Sequence, residues 1–277
     1  MIFSRGMRCA CTVTGVLFCA TIAWAQPAPK SKDYVPEVGQ AGKDVVWVPT
    51  AQTLVNKMLD MAKLTPKDIL YDLGSGDGRT VITAARRGAR AHGVEYNPAM
   101  VELSRRNADK AGVAGKATFE HGDIFRADFS KATVVTLFLL PELNVKLRPT
   151  LLAMKPGTRI VANSFDMGDW SPDQTAQVQG DCDSWCTANL WIVPARVEGV
   201  WKLPNGELTL KQDYQKLTGT LRLDDRSMVI SDGKMDGERI SFSAGNYRYG
   251  GRLIGDVIDG SGGAAKVWRA ERTAATR

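Results

Sequence analysis

The chain has 277 residues, and its content of 44% hydrophobic and 24% charged residues is typical of a soluble globular protein. The length allows one large domain or two smaller ones. The net charge of +6 is only mildly basic. The sequence has no long Lys or Arg runs and no interleaving of aromatic with basic residues, so we expect no nucleic-acid partner.

Residues 1–25 are organised like a secretory signal peptide. Arg5 and Arg8 precede an apolar run over residues 9–24, which ends in the small-x-small motif Ala-Trp-Ala at 23–25. We therefore predict cleavage after residue 25 and an exported protein, periplasmic or extracellular, that has no transmembrane span once the signal is removed. The alternative is that the segment stays as an N-terminal anchor, for which the apolar run is short.

The segment 26–48 is rich in Pro, Lys and Gly and is predicted to be a flexible arm. Thr50 is then a candidate N-cap, because apolar residues follow it at helical spacing. Beyond this first helix, strand and helix patterns alternate and predict a parallel sheet with helices on both faces. The predicted elements are strand 69–71, helix 81–87, strand 91–96, helix 97–111, strand 118–120, strand 133–139, helix 142–154 and strand 159–165. Asn97 is the predicted N-cap of helix 97–111, because Pro98 follows it in the first turn.

Two cysteines remain after the predicted cleavage, Cys182 and Cys186, near the tip of a predicted β-hairpin over 174–193. An even number of cysteines in an oxidising compartment favours a disulfide, and two free thiols are the alternative. We expect no metal site, because two cysteines and two scattered histidines, His92 and His121, do not provide four ligands.

The last part of the chain has a different pattern. Short runs of alternating polarity between 200 and 268 are separated by turn sequences such as Pro-Asn-Gly at 204–206. They predict a small antiparallel barrel or sandwich. The predicted domains are an α/β domain over 49–194, an all-β C-terminal domain over 195–270 and a tail at 271–277.

The sequence Asp-Leu-Gly-Ser-Gly-Asp-Gly at 72–78 follows a predicted strand, opens a predicted helix and is a candidate cofactor loop. A dinucleotide site is the obvious rival, but in its G-x-G-x-x-G motif the third glycine comes one residue later than Gly78. Asp72, at the strand end, would also repel a pyrophosphate. An acid there favours a cofactor with an ammonium group. S-adenosylmethionine has such a group, carries a sulfonium charge and has no phosphate.

Two further acids follow neighbouring strands. Glu95 ends the second strand, where a carboxylate can accept hydrogen bonds from both hydroxyls of a ribose. Asp123 follows the third strand, where it can accept from an adenine amino group while Ile124 contacts the ring. Each acid alone is as compatible with a solvated side chain as with a cofactor ligand. All of them lie at carboxyl ends of strands, where open α/β sheets bind ligands, and this shared position favours a binding site. The predicted cofactor-binding residues are Thr50, Asp72, Gly74, Ser75, Gly76, Gly78, Glu95, Tyr96, Asp123 and Ile124.

Residues 66–165 resemble the class I, seven-strand S-adenosylmethionine-dependent methyltransferases in the glycine loop, the two later acids and the strand order. The resemblance implies a Rossmann-like α/β sheet with helices on both faces, its last two strands supplied by the hairpin at 174–193, followed by the small β-barrel-like domain. A narrower resemblance is to the protein-lysine methyltransferases that modify the ATP synthase c-subunit and the adenine nucleotide translocase, which implies lysines of membrane proteins as acceptors. It is carried by VPT (48–50), YDLGSGDGR (71–79), GVEYNP (93–98) and LFLLPELNVKLRP (137–149).

The acceptor side of the site is expected just after the fourth strand, at Pro141, Glu142 and Asn144. We predict these three residues as catalytic, with Glu142 facing the incoming nucleophile. The alternative role of Glu142 is that of an acid in the first turn of a helix, which the helix dipole favours. The sequence thus predicts an S-adenosylmethionine-dependent methyltransferase that acts on lysine of a protein acceptor. The alternatives are a small-molecule or lipid-like acceptor, or a non-catalytic exported binding protein on a methyltransferase scaffold.

Overall fold

The computed structural model describes residue 1 and residues 34–263 and 266–273. The predicted signal peptide lies outside these residues except for residue 1, as do residues 26–33 of the predicted arm and 274–277 of the predicted tail. None of the described helices has the length and apolar composition needed to cross a bilayer.

The first half of the fold is the predicted alternation of strands and helices. Each parallel strand is short, and β4 is buried at every position, as expected of a strand covered on both faces. The elements in chain order are α1 (Gln52–Met61), β1 (Ile69–Leu73), α2 (Arg79–Arg86), β2 (Arg90–Glu95), α3 (Pro98–Lys110), β3 (Ala117–His121), β4 (Val134–Leu137), α4 (Pro141–Leu152), β5 (Arg159–Asn163), β6 (Gln174–Gln177) and β7 (Thr187–Ile192).

These strands form a seven-stranded sheet in the order β3-β2-β1-β4-β5-β7-β6. The first five are parallel, so their carboxyl ends meet at one edge of the sheet. β7 pairs antiparallel with β5 and with β6, which confirms that a hairpin supplies the last two strands. Two apolar cores cover the faces, one around α1 and α2 and one around α4.

The second half is a closed eight-stranded barrel, which confirms the barrel alternative over the sandwich. Closure comes from β8, which pairs with β9 on one side and with the last strand on the other. Alternate residues along the strands fill an interior that includes Trp201, Phe242 and Trp268. The strands are β8 (Gly199–Leu203), β9 (Gly206–Asp213), β10 (Lys216–Leu223), β11 (Arg226–Asp236), β12 (Arg239–Ala244), β13 (Tyr247–Ile254), β14 (Val257–Gly262) and β15 (Val267–Arg272).

Sheet and barrel belong to one compact unit that begins at Tyr34. The buried indole of Trp170, between β5 and β6, donates from Nε1 to Oε1 of Gln215 at 2.9 Å, and the Gln215 amide donates to the Ser171 carbonyl at 2.8 Å. Tyr214 stacks on the Trp170 ring with centroids 5.8 Å apart. The barrel is therefore fixed to the sheet by a hydrogen-bonded aromatic contact rather than by a free linker.

Two predicted helix caps have opposite outcomes. Asn97 caps α3 as predicted, because its side chain accepts from the backbone N–H of Ala99 at 2.9 Å and Pro98 occupies the first helical position. The prediction for Thr50 is wrong, since α1 begins at Gln52 and no side chain next to it in sequence caps it. The carboxylate of Asp181 accepts from the first N–H groups of α1 instead, which no local pattern reveals.

Candidate active site

A cavity of about 580 Å³ lies at the carboxyl edge of the parallel strands. Its volume is in the range of sites for small ligands and cofactors. Nine of the ten predicted cofactor residues line it, from the glycine loop, the ends of β2 and β3, and residue 50. The exception is Gly78, which does not line the cavity. Gly78 is the residue before α2 and has a left-handed conformation (φ +82°). A Cβ there would lie 2.8 Å from the Phe119 ring, so only glycine fits this position.

The glycine loop needs glycine for both conformation and space. Gly74 and Gly76 have φ values of +86° and +54°. A Cβ on Gly76 would lie 2.6 Å from Nε1 of Trp47, so the loop and the indole fit together only without a side chain there. The loop therefore presents its main chain to the cavity, as a cofactor loop requires.

Asp72 is the buried acid of the site. Its carboxylate is 7% exposed and accepts a hydrogen bond from Oγ1 of Thr136 at 2.7 Å. Desolvation is the main cause that raises the pKa of Asp72 from 3.8 to about 7. The hydrogen bond from Thr136 lowers this pKa, and the nearby charges of Asp77 and Glu95 raise it. A cationic ligand in the cavity would relieve this destabilisation of the charged form.

Glu95 is held with both carboxylate oxygens in defined positions. Oε2 accepts from the backbone N–H of Gly76 at 3.0 Å, and Oε1 accepts from that of Asn97 at 2.8 Å. The carboxylate therefore joins the glycine loop to the end of β2. Each oxygen keeps a second lone pair that can accept from a ribose hydroxyl.

Asp123 lies at the same edge after β3, and its carboxylate is paired with a lysine that the sequence analysis missed. Oδ2 lies 2.7 Å from Nζ of Lys43, and Oδ1 accepts from the backbone N–H of Phe125 at 3.0 Å. The hydrogen bond from Lys43 lowers the pKa of Asp123, and the same bond raises the pKa of Lys43. The Lys43 ammonium also lies 5.1 Å from the centroid of the Tyr96 ring, another predicted cofactor residue.

The described part of the predicted arm, residues 34–48, folds back over the cavity. Its chain turns tightly, with the N–H of Gly42 bonded to the carbonyl of Val45 at 2.9 Å and that of Trp47 to the carbonyl of Gln40 at 2.9 Å. Thr50 joins the arm to the sheet, because its Oγ1 accepts from Nδ2 of Asn163 at 3.2 Å. This segment contributes to the site through contacts with residues far away in sequence, such as Asp123. The flexibility predicted for the arm stays a prediction.

The opposite side of the cavity is apolar. Phe138 follows β4, Phe165 follows β5, and Trp185 lies in the loop between β6 and β7. The Phe138 ring stacks on Phe165 and is tilted against Trp185, with 6.1 Å between centroids in each pair. We call this side the aromatic half, and the side with Asp72, Glu95 and Asp123 the acid half. The described residues that line the aromatic half are Phe138, Leu139, Leu140, Leu143, Phe165 and Trp185.

The three predicted catalytic residues do not line the cavity. Pro141 and Glu142 form the first turn of α4, where Glu142 is exposed in the place that suits an acid at a helix N-terminus. Asn144 is buried behind the cavity wall and donates from Nδ2 to the carbonyl of Asp166 at 3.0 Å. The residues between the end of β4 and α4, which were not predicted, form the wall instead.

The acid half fits S-adenosylmethionine, the cofactor expected from the sequence. It offers a desolvated carboxyl for a positive charge, a carboxylate fixed for two hydroxyls, and a third acid, Asp123, paired with a lysine that lies over the Tyr96 ring. Among the described residues, no group of three or more His, Cys, Asp or Glu side chains is arranged to hold a metal ion.

Comparison with known proteins gives consistent matches. Residues 72–174 match the family model of the ANTKMT methyltransferase domain. The chain is 42% identical over 149 residues to a protein-lysine N-methyltransferase of Saccharolobus islandicus (strain REY15A), which covers 53% of this chain and 88% of that protein. It is 37% identical over 130 residues to the ATP synthase c-subunit lysine N-methyltransferase of Mus musculus, covering 47% of this chain and about half (52%) of that protein.

Solved structures include a similar chain with a bound product of the cofactor. An RNA methyltransferase from Salinibacter ruber, in complex with S-adenosyl-L-homocysteine, has 50% sequence identity and a TM-score of 0.51. The match covers 54% of this chain and 96% of that one.

Proposed function

The chain belongs to the protein-lysine N-methyltransferase group of the class I S-adenosylmethionine-dependent methyltransferases, and on that premise we propose that it methylates a lysine side chain of a protein acceptor. The observation that carries this proposal is the division of one cavity into an acid half and an aromatic half. Asp72 and Glu95 lie at the carboxyl ends of β1 and β2, and Asp123 follows β3. Phe138 and Phe165 follow β4 and β5, so the strand order keeps the acids and these rings apart at one edge.

The chemistry supplied by bound S-adenosylmethionine is a sulfonium-activated methyl group. That methyl group would be available to a neutral amine placed in line with it. Asp72, Glu95 and Asp123 hold the cofactor side through charge and hydrogen bonds. The aromatic half holds the acceptor and excludes water, which brings nucleophile and methyl group together in a dry cavity.

The acceptor amine has to lose its proton before it attacks. The described residues that line the aromatic half are all apolar, so the wall itself offers no carboxylate as a base. Desolvation by the aliphatic side chains of this wall, Leu139, Leu140 and Leu143, favours the neutral amine instead, because burial disfavours the charged form of a lysine. We therefore expect the proton to leave to water and Glu142, which is outside this wall, to be dispensable.

A lysine on an apolar surface suits the entrance of this cavity. Val46, Leu140 and Trp185 line the cavity and are respectively 57%, 42% and 46% exposed, so apolar side chains form part of its exposed lining, together with the charged Lys43 and Asp44. Relatives named for the ATP synthase c-subunit and the adenine nucleotide translocase support the same direction. We propose a membrane protein as the class of acceptor.

The test is methyl transfer from radiolabelled S-adenosylmethionine to three fractions of the source cells: membrane proteins, soluble proteins and RNA. We expect label on lysine in the membrane-protein fraction, found by mass spectrometry of the labelled bands. With S-adenosylmethionine below saturation, Asp72→Asn should lower the label by about 10- to 100-fold, in line with weaker cofactor binding. Glu142→Gln is the matched acid-to-amide control outside the cavity and should leave the label unchanged within a factor of about two.

Other results would replace the proposal. Label in RNA alone would favour an acceptor like that in the name of the Salinibacter ruber protein. Label in no fraction, with cofactor binding intact, would favour a small-molecule acceptor or a non-catalytic binding protein. Loss of label in Glu142→Gln would restore that residue as the base.

We also propose that the protein is exported. The pattern of residues 1–25 supports this, and so does the disulfide between Cys182 and Cys186, since such bonds persist in oxidising compartments. Cell fractionation combined with thiol alkylation tests it. The expected result is an envelope fraction whose protein begins at residue 26 and resists alkylation unless reduced. Full-length protein in the cytoplasm with two reactive thiols would contradict it.

A further inference from the structure

The loop between β6 and β7 carries a disulfide at the edge of the sheet that holds the cavity. β7 runs antiparallel to β5, and Ala188 at its start pairs with Asn163 at the end of β5. The β6–β7 loop therefore reaches the carboxyl edge of the parallel strands. Cys182 and Cys186 form a disulfide in this loop, with 5.7 Å between their Cα atoms.

Contacts on both sides of the disulfide fix the loop. Before it, the Asp181 carboxylate accepts from the backbone N–H groups of Gln52 and Thr53 at the start of α1, at 3.2 and 3.3 Å. At its second cysteine, the carbonyl of Cys186 accepts from the N–H of Val178, the residue that follows β6, at 3.0 Å. The loop is therefore attached to the sheet and to α1, and only its short disulfide-closed part projects toward the cavity.

Trp185 lies inside the disulfide-closed part in an unusual conformation. Its φ is +56°, in the left-handed region that a bulky side chain rarely adopts. Such a conformation persists only where its surroundings impose it, and it occurs preferentially at ligand clamps. The side chain is 46% exposed, so burial does not account for it. Instead, the indole lines the cavity next to Phe138.

The three rings of the aromatic half can recognise an amine at the end of an aliphatic chain. The Phe138 centroid is 6.1 Å from those of Phe165 and Trp185, so a cation beside Phe138 comes within the ~6 Å reach of more than one ring. The leucines of the wall suit the methylene stem of a lysine. Two of the rings belong to strand ends, whereas the third depends on the disulfide loop.

We propose that Phe138, Phe165 and Trp185 form a cage for the acceptor lysine and its methylated products, and that the Cys182–Cys186 disulfide positions Trp185 to complete it. The inference deepens the proposed function and rests on it. The disulfide is the positioning element, Trp185 is the ring that it positions, and the acid half is independent of both. Reduction of the disulfide should therefore weaken acceptor binding and leave cofactor binding unchanged.

The first experiment measures acceptor binding without catalysis. The probe is a peptide with one trimethyl-lysine, titrated by calorimetry into the full protein saturated with S-adenosylhomocysteine. A matched peptide in which a neutral tert-butyl group replaces the trimethylammonium group separates cation recognition from apolar contact. We expect the charged peptide to bind more tightly than the neutral one, and Trp185→Ala to weaken its binding by about 5- to 30-fold.

Variants separate the cage from general effects. Trp185→Phe keeps an aromatic ring and should retain most of the affinity. Tyr247→Ala is the control, because Tyr247 is 49% exposed and outside the cavity wall. Cys182→Ser combined with Cys186→Ser, and reduction of the wild-type protein, should each resemble Trp185→Ala in the affinity for the peptide. S-adenosylhomocysteine affinity should stay unchanged in all of them, which also shows that they are folded.

The second readout is the KM for the labelled membrane acceptor, which should rise on reduction while the KM for S-adenosylmethionine stays constant. Equal affinity for the two peptides, or equal acceptor binding with and without the disulfide, would overturn the cage. In either case, the proposed lysine methylation still holds if label enters lysine. Absence of label on lysine, with the charged peptide unbound by oxidised protein, would overturn both.

Discussion

Replacing Asp72 with asparagine is predicted to stabilise the ligand-free protein while it weakens cofactor binding. The carboxyl is buried, and desolvation raises its pKa from 3.8 to about 7. At about 1.4 kcal/mol for each tenfold change in the ionisation equilibrium, an ionised Asp72 destabilises the folded chain by up to about 4 kcal/mol. Asparagine has the same shape, carries no charge and still offers Oδ1 to the hydroxyl of Thr136.

The effect has a defined dependence on pH. A carboxyl with a raised pKa in the folded state keeps its proton after the unfolded chain has released it, so the unfolded state binds fewer protons between about pH 4 and pH 7. The stability of the wild-type protein relative to Asp72→Asn therefore falls as the pH rises through this window. It becomes constant above about pH 7, where both states have lost the proton.

The test is urea unfolding at about pH 5 and about pH 8. It compares the free energy of unfolding of ligand-free wild-type protein with that of Asp72→Asn at each pH. We expect the asparagine variant to be more stable at both and its advantage to be larger at the higher pH. In calorimetry at the higher pH, it should bind S-adenosylmethionine about 10- to 100-fold more weakly, because a charge-assisted contact is lost. A variant that is less stable than wild type, or an advantage that does not change with pH, would refute the reasoning.

Three further substitutions test the rest of the acid half. Glu95→Ala removes the acceptor of two backbone N–H groups, and we expect calorimetry to show S-adenosylmethionine binding weaker by about 30-fold or more, whereas unchanged binding would exclude Glu95 from the site. Lys43→Ala frees the Asp123 carboxylate from its ion pair and should tighten cofactor binding by up to about fivefold at low salt. At high salt the ion pair is screened, so the substitution should have no effect there. Weaker binding would show that Lys43 itself holds the ligand. Gly76→Ala forces a Cβ against Trp47 at a φ of +54°, and thermal unfolding should show a loss of roughly 1–2 kcal/mol together with weaker binding, whereas a stability equal to wild type would contradict the described packing.

The sequence by itself determined the features that depend on local and periodic patterns. The alternation of strands and helices, the glycine loop and the cap at Asn97 are set by a residue and its near neighbours, and the structure confirms all three. The position of Asp72, Glu95 and Asp123 in one cavity was also predictable, because carboxyl ends of parallel strands meet at one edge whatever the details of packing.

The tertiary structure alone decided which remote residues complete the site. Lys43 and Asp123 are 80 positions apart, and Asp181 is 129 positions from the helix end that it caps. The prediction that Pro141, Glu142 and Asn144 belong to the cavity wall was based on their nearness in sequence to β4. In the structure, Pro141 and Glu142 form the first turn of α4, with Glu142 exposed to solvent, and Asn144 is buried in the interior.

The aromatic half shows the physical reason most clearly. Phe138, Phe165 and Trp185 come from two strand ends and a disulfide loop. Phe138 lies in the motif at 137–149, but no motif of the sequence contains Phe165 or Trp185 or joins the three rings. They meet because β7 returns antiparallel along β5 and brings its loop to the edge where β4 and β5 end. Contacts of this kind depend on chain topology and on the fit of side chains in three dimensions, which local periodicity does not encode.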